Sequence, residues 1–176
     1  MIFTGLCRIF GTILTILRTK IGGRYHLVIC ALQSLLRCLF IPFTTTNSSH
    51  EAPSSFTETH AAAYARALTT LCDPTVSSVT RSKYRLRPEL NDETKKAKDI
   101  AGQHLPYLIM EYCDCQLKGR LLPEMKTALN PGLYAVLAVM SQEVMRTMNE
   151  GMDESARAVW KALYEDYRRF GRNGGF

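Results

Sequence analysis

The chain has 176 residues, of which 46% are hydrophobic and 22% are charged, the proportions of a folded globular domain. These values exclude a collagen-like chain, a wholly disordered chain and an acidic tail. The formal net charge of +6 permits an acidic partner such as nucleic acid, an anionic membrane or an acidic protein, without selecting among them.

Two apolar runs, at residues 3–17 and 25–41, open the chain and raise the question of a membrane anchor. Both runs carry polar or charged residues and are shorter than the roughly 20 apolar residues of a membrane-spanning helix. In the first run, the residues at helical spacing are Phe3, Leu6, Cys7, Phe10, Ile13, Leu14 and Leu17. This spacing predicts one apolar stripe on a helix. We therefore predict a helical hairpin over residues 1–41, and the competing interpretation is a small membrane-associated helical protein anchored by residues 3–41.

The middle of the chain alternates loops with helices. Residues 42–57 are small and polar, which predicts a flexible loop. Glu58 opens an alanine-rich helix that ends near Cys72, before the helix-breaking Pro74. The residues predicted to face the core are Tyr64, Leu68 and Leu71. A second loop is predicted over residues 75–90.

The remaining helices are predicted from caps and prolines. One helix runs from about residue 91 to Gly119, with a kink or break at Pro106. Asn130 directly precedes Pro131, the favoured order for a cap and a first helical residue, so a new helix is expected there. The helices predicted after Gly119 are residues 123–129, 131–139, 142–148 and 153 to about 170. Ala158, Val159, Leu163, Tyr164 and Tyr167 are predicted to point inward in the last of these.

These elements predict an all-α fold. About seven helices in antiparallel pairs would form either a HEAT- or armadillo-like α-solenoid or an irregular helical bundle. Residues 58–172 would be the helical remainder of the same domain as the hairpin, and residues 173–176 a disordered tail. The single tryptophan, Trp160, is expected to be at least half buried in the last helix.

The chain has six cysteines, which are Cys7, Cys30, Cys38, Cys72, Cys113 and Cys115. Four of them lie in apolar helical runs, where cysteine is a small core residue, and no signal-peptide pattern is present. We therefore predict reduced thiols and a cytosolic or nuclear protein. Cys113 and Cys115 are too close together for a zinc knuckle, so no metal site is expected.

Catalytic motifs are absent from the sequence. It contains no phosphate-binding loop, dinucleotide fingerprint, H-E-x-x-H or G-x-S-x-G segment. The four histidines are scattered, and His104 reads as a partly buried helix residue rather than a base. Glu165 and Asp166 are adjacent and therefore diverge on a helix. We predict a protein that is not an enzyme, with no cofactor and no small-molecule substrate.

A basic loop is the first candidate binding surface. It holds four cations in seven residues, with an interleaved tyrosine and three lysines shortly beyond. Cations neutralise RNA phosphates and a tyrosine ring stacks on a base, so the pattern is compatible with an RNA contact. The alternative is a solvated loop whose charge only aids solubility, and this interpretation is slightly favoured. The candidate RNA- or phosphate-contacting residues are Arg81, Lys83, Tyr84, Arg85 and Arg87.

The C-terminal segment is the second candidate binding surface. Arg168, Arg169 and Arg172 follow the last predicted helix. They either bind phosphate or complement the negative end of that helix, and the second interpretation is favoured.

Six segments resemble a known family. They are residues 23–28, 32–40, 105–113, 116–125, 129–137 and 161–171, the first reading GRYHLV and the last KALYEDYRRFG. Over residues 18–172 they are similar to the C-terminal domain of a fungal nucleolar family. Its members are called the second "unhealthy ribosome biogenesis" protein or nucleolar pre-ribosomal associated protein.

The resemblance implies a large helical scaffold without enzymatic activity, acting on 27S pre-rRNA in early assembly of the 60S subunit in the nucleolus. It also implies a complex with another large helical scaffold, a DEAD-box helicase and small accessory proteins. Members of the family are far longer and carry this domain at their end. The chain is therefore expected to be a stand-alone domain, a truncated product or an incorrect reading frame. The family has no catalytic residues to transfer.

Overall fold

The computed structural model describes residues 2–43, 56–73 and 99–171. Its elements are α1 (Ile2–Ile16), α2 (Arg18–Ile21), a 3₁₀ turn (Gly22–Arg24), α3 (Tyr25–Cys38), β1 (Ile41–Pro42), α4 (Glu58–Cys72), α5 (Pro106–Lys118), β2 (Gly119–Arg120), α6 (Pro123–Val139), α7 (Gln142–Gly151), α8 (Glu154–Asp166) and a π-helical turn (Tyr167–Gly171). Residues 99–104 are also helical and lead into α5 through a turn at Leu105. The predicted all-α fold is confirmed.

The helix starts follow from side-chain chemistry. Asp153 caps α8 because its Oδ1 accepts a hydrogen bond from the Ala156 N–H at 2.7 Å. Ser141 caps α7 in the same way through the Val144 N–H at 3.2 Å. Pro106 occupies the first turn of α5, where its missing N–H costs nothing, so the predicted break at this proline is confirmed.

The predicted break at Pro131 is wrong. The helix α6 continues through this proline, which lies exposed in its interior. Asn130, predicted as a cap, is an interior helix residue whose Oδ1 has no hydrogen-bond partner among the described residues. Directly after the proline, a Cβ atom on Gly132 would lie 2.7 Å from the Ala65 Cα of α4. Close packing against α4 therefore offsets the hydrogen bond that Pro131 removes.

The main helices stack in two layers. In the first layer α4 packs between α1 and α6, and in the second α5 packs between α3 and α8. The layers meet through Tyr64, which is fully buried and donates a hydrogen bond to the Leu32 carbonyl at 2.9 Å. The extensive contacts thus join helices that are not neighbours in the chain. The helix pairs α1 with α3, α4 with α5 and α6 with α8 are thus stacked in succession. This is the arrangement of an α-solenoid.

Helices that stack within a layer run in the same direction in two cases, α1 on α4 and α3 on α5. The ring of Phe3 at the start of α1 lies 5.2 Å from that of Phe56 before α4, whereas Arg18 after α1 reaches Leu71 near the end of α4. Likewise Tyr25 stacks on His104, and Arg37 near the end of α3 pairs with Glu111. Successive repeats of a solenoid are stacked in this parallel sense.

Two short strands, which the sequence did not predict, follow α3 and α5 in the chain and pair with each other. Ile41 pairs with Arg120 and Pro42 with Gly119, in antiparallel register. A Cβ atom on Gly119 would lie only 2.8 Å from the Ile41 carbonyl oxygen, so this approach depends on glycine.

The core contains the side chains that periodicity predicted for α4, namely Tyr64, Leu68 and Leu71. Trp160 is only 5% exposed, which confirms its predicted burial. In the same helix Ala158 is exposed, so its predicted inward orientation is wrong. The stripe predicted on α1 is only partly buried, because Leu6 and Leu17 are exposed. The apolar arc of α1 is wider than the face that α4 covers.

Candidate interaction surfaces

The basic loop with Arg81, Lys83, Tyr84, Arg85 and Arg87 lies outside the described residues, so its RNA contact stays a prediction. The second candidate is partly described. Arg168 and Arg169 lie exposed in the π-helical turn that follows α8. This position is next to the negative end of the helix, where cations are stabilising. Arg172 lies outside the described residues.

Charge is distributed unevenly over the described part of the chain. Residues 2–43 and 56–73 contain six cations and two carboxylates, whereas residues 99–171 contain eight cations and ten carboxylates. The first 50 residues of the sequence have no acidic side chain at all. The helices α1 to α4 therefore form a basic end of the domain, and α5 to α8 a mildly acidic one.

An open groove of about 400 Å³ separates the exposed sides of α1 and α4. Arg8 and Arg66 supply its charge, and several threonines line it. Thr12 and Thr15 donate their hydroxyl hydrogens to backbone carbonyls four residues earlier, so these protons are not offered to a ligand. The groove can therefore receive an anion through its two arginines, whereas the hydroxyl groups of Thr12 and Thr15 offer it acceptors rather than donors.

The six cysteines are all free thiols. Cys30 and Cys38 are exposed, and the other four are buried. Burial raises the pKa of Cys7 to about 11, although the nearby charge of Arg66 opposes this shift. Burial also raises the pKa values of Cys113 and Cys115 to about 12. These three buried thiols are protonated at neutral pH and unsuited to nucleophilic chemistry.

A bidentate ion pair between Arg37 and Glu111 links α3 to α5 at the protein surface. Arg37 donates from Nε to Glu111 Oε1 at 2.6 Å and from Nη2 to Oε2 at 2.7 Å. One helical turn further on, Lys118 pairs with Asp114 at 2.7 Å. Bidentate geometry makes the first pair more specific than an ordinary surface contact. It holds α3 in register with α5 and leaves neither group available to a partner.

Exposed apolar side chains are concentrated on α1. Ile2, Leu6 and Ile9 are 82%, 39% and 56% exposed. The periodicity of the sequence assigned Leu6 to the core and left the other two unassigned. The spacing of four and three residues between Ile2, Leu6 and Ile9 could have predicted a second apolar stripe on α1. This helix carries more apolar positions than one packing partner can cover.

Neither a metal cluster nor a membrane span is found among the described residues. Within residues 2–43, 56–73 and 99–171, no group of three or more His, Cys, Asp or Glu side chains is placed to hold a metal ion. No described helix combines the length and apolarity that crossing a bilayer requires.

Comparison with known families decides the assignment. The sequence model of the Urb2/Npa2 family matches residues 1–175, nearly the whole chain. The chain belongs to the Urb2/Npa2 family. Neither a curated protein nor a solved structure matches it significantly.

Membership of the Urb2/Npa2 family places the chain among proteins of ribosome biogenesis and rRNA processing. It confirms the family that the six sequence segments indicated. The surfaces of the described helices are therefore to be interpreted as those of a protein that takes part in ribosome assembly.

Proposed function

We propose that this chain is a non-enzymatic scaffold module in the early assembly of the 60S subunit, supporting maturation of 27S pre-rRNA in the nucleolus. The observation that carries the proposal is the Urb2/Npa2 match over residues 1–175. Stacked helix pairs support it, because such arrays present long surfaces that bind other macromolecules.

The partners in this proposal are those of a pre-60S assembly complex. They are another large helical scaffold, a DEAD-box helicase and small accessory proteins. Protein contacts are its main mode of action, and the uneven charge of the domain supplies one basic and one acidic end for them.

The test is affinity purification of the tagged chain from nucleolar extract, followed by identification of the bound proteins and RNA. The proposal predicts enrichment of early pre-60S factors and 27S pre-rRNA over precursors of the small-subunit rRNA. Purification with small-subunit precursors alone, or with no pre-ribosomal component, would contradict it.

A direct contact with pre-rRNA through the basic loop is a second proposal. Four cations between residues 81 and 87 with an interleaved Tyr84 favour it. Replacing Arg81, Lys83, Arg85 and Arg87 by glutamine should weaken binding of pre-rRNA fragments. The log–log slope of affinity against salt should fall by about 0.7 to 0.9 for each phosphate that the loop no longer neutralises.

A charge-matched control separates this contact from a general reduction of positive charge. Replacing the exposed residues Arg24, Lys126, Arg146 and Lys161 by glutamine removes the same formal charge from the described surface. The proposal predicts a normal salt slope for this control. Equal slopes for the wild type and the loop variant would exclude the loop as an RNA contact.

A further inference from the structure

The outer face of α1 carries the pattern of a coiled-coil seam. Ile2, Leu6, Ile9 and Ile13 recur at steps of four, three and four residues, the spacing of the a and d positions of a heptad. Three of these side chains are exposed, and Ile13 is partly buried against the core. A seam of this kind is complementary to the apolar stripe of another helix.

The position of the seam in the array strengthens this interpretation. The outermost helix pair of a solenoid needs a polar outer face when nothing is stacked on it. The pair at the other end, α6 and α8, meets this requirement, since its exposed charged side chains are Glu124, Lys126, Glu154, Lys161 and Glu165. At the α1 end, by contrast, Ile2, Leu6 and Ile9 leave an apolar side exposed.

The surface of α1 beside the seam also allows another helix to approach closely. Gly5 lies next to it on α1, and a Cβ atom added there would meet nothing within 4 Å. Where α4 and α6 stack, Gly132 against Ala65 provides the same kind of close backbone contact. A helix on the outer face of α1 would thus continue a packing mode that the layer already uses.

The positive charge around the seam favours one kind of helix as the binding partner. Arg8, Lys20 and Arg24 are exposed around this end of the domain, and the first 50 residues contain no acidic side chain. A second copy of the chain would bring like charges together, which opposes association. A helix with acidic residues beside its apolar stripe would be attracted.

We propose that the outer face of α1 is a docking surface for an amphipathic helix of another protein, with acidic residues flanking its apolar stripe. The helix would stack on α1 as α1 stacks on α4. This inference rests on the proposed scaffold function and specifies one of its contacts, the surface and the chemistry of the partner.

The test uses two synthetic helical peptides as long as α1 with identical leucines at the a and d positions. One carries glutamate at the flanking e and g positions and the other lysine. Binding to the full 176-residue chain is measured by fluorescence anisotropy. The acidic peptide should bind, and the lysine peptide should bind at least about tenfold more weakly, with a difference that shrinks in high salt.

Two chain variants locate the binding. Leu6→Glu places a charge in the seam and should weaken binding of the acidic peptide at least about tenfold, as removal of a central apolar side chain does. Leu117→Glu is the matched control, because Leu117 of α5 is also 39% exposed. It should bind like the wild type. Ile9→Glu, at a more exposed seam position, gives an independent reading if Leu6→Glu unfolds the domain.

Several results would overturn the proposal. They are equal binding by the Leu6→Glu, Ile9→Glu and Leu117→Glu variants, a preference for the lysine peptide, self-association of the chain that Ile9→Glu abolishes, or seam-dependent binding to anionic phospholipid vesicles in place of the peptide. Failure of the proposed function has a different signature. In that case the wild-type chain would not co-purify with pre-60S factors, whatever its affinity for the peptide.

Discussion

Arg18 shows how one side chain connects local and long-range structure. It is the one charged residue that the described part of the chain buries. Its guanidinium donates to the Leu14 carbonyl at 3.2 Å, to the Leu71 carbonyl at 2.9 Å and to the Thr70 carbonyl. The last carbonyls of a helix have no partner within the helix, so Arg18 satisfies the end of α4 and complements its dipole.

Replacing Arg18 by methionine keeps an apolar stem but removes these donors. We expect the free energy of unfolding to fall by about 2–3 kcal/mol, since buried carbonyls are left unsatisfied. Chemical denaturation measures this change. Arg24→Met, at an exposed arginine near the same turn, is the control and should leave stability nearly unchanged. Equal stabilities for the two variants would show that the Arg18 contacts are not structural.

The thiols provide a second test at this scale. Cys30 and Cys38 are exposed and the other four cysteines are buried, so Ellman's reagent should react rapidly with two thiols in the native protein. The remaining four should react only as the protein unfolds. Rapid reaction of all six without denaturant would contradict the burial.

Stability should also depend on alkaline pH. The pKa of Cys113 is raised by burial from its ordinary 9.0 to about 12, and that of Cys115 likewise. Because the folded state holds these protons more tightly, their stabilising effect is complete below pH 9 and is lost as pH rises toward 12. The free energy of unfolding should therefore decline above pH 9, and Cys113→Ala should reduce that slope. A slope that this replacement leaves unchanged would contradict the role of Cys113.

At the scale of elements, the sequence predicted helices wherever local signals governed them. The helix α4 lies within the predicted bounds, and Asp153 begins α8 as its capping chemistry indicates. The break predicted at Pro131 failed because the decisive contact is remote, between Gly132 and Ala65. The strands at β1 and β2 were missed since two residues are too few to show alternation. Packing between distant segments leaves no trace in local periodicity.

The contact between α4 and α6 can be tested with a pair of identical substitutions. Gly132→Ala places a methyl group 2.7 Å from the Ala65 Cα, and this overpacking should cost about 1–3 kcal/mol of stability. Gly11→Ala, in α1, meets nothing within 4 Å and should be neutral or stabilise the helix by up to about 1 kcal/mol. Thermal denaturation distinguishes the two. Equal effects would show that the helices are not in close contact.

For the whole molecule, the stack of helix pairs has two chemically different ends. One is basic and apolar, around α1, and the other is polar, around α6 and α8. The sequence predicted the candidate RNA loop from charge clustering, but it did not predict the α1 seam, because exposure depends on which helices cover α1. A module with two different ends suits a role in assembly, where each end meets its own partner.

The most direct test of the proposed function is depletion of the chain from cells, followed by measurement of the pre-rRNA precursors. A role in early 60S assembly predicts a fall in 27S pre-rRNA and in free 60S subunits, while precursors of the small-subunit rRNA are largely retained. Re-expression of the wild-type chain should restore the 27S level. An unchanged 27S level after depletion, or a defect confined to the small-subunit precursors, would contradict that role.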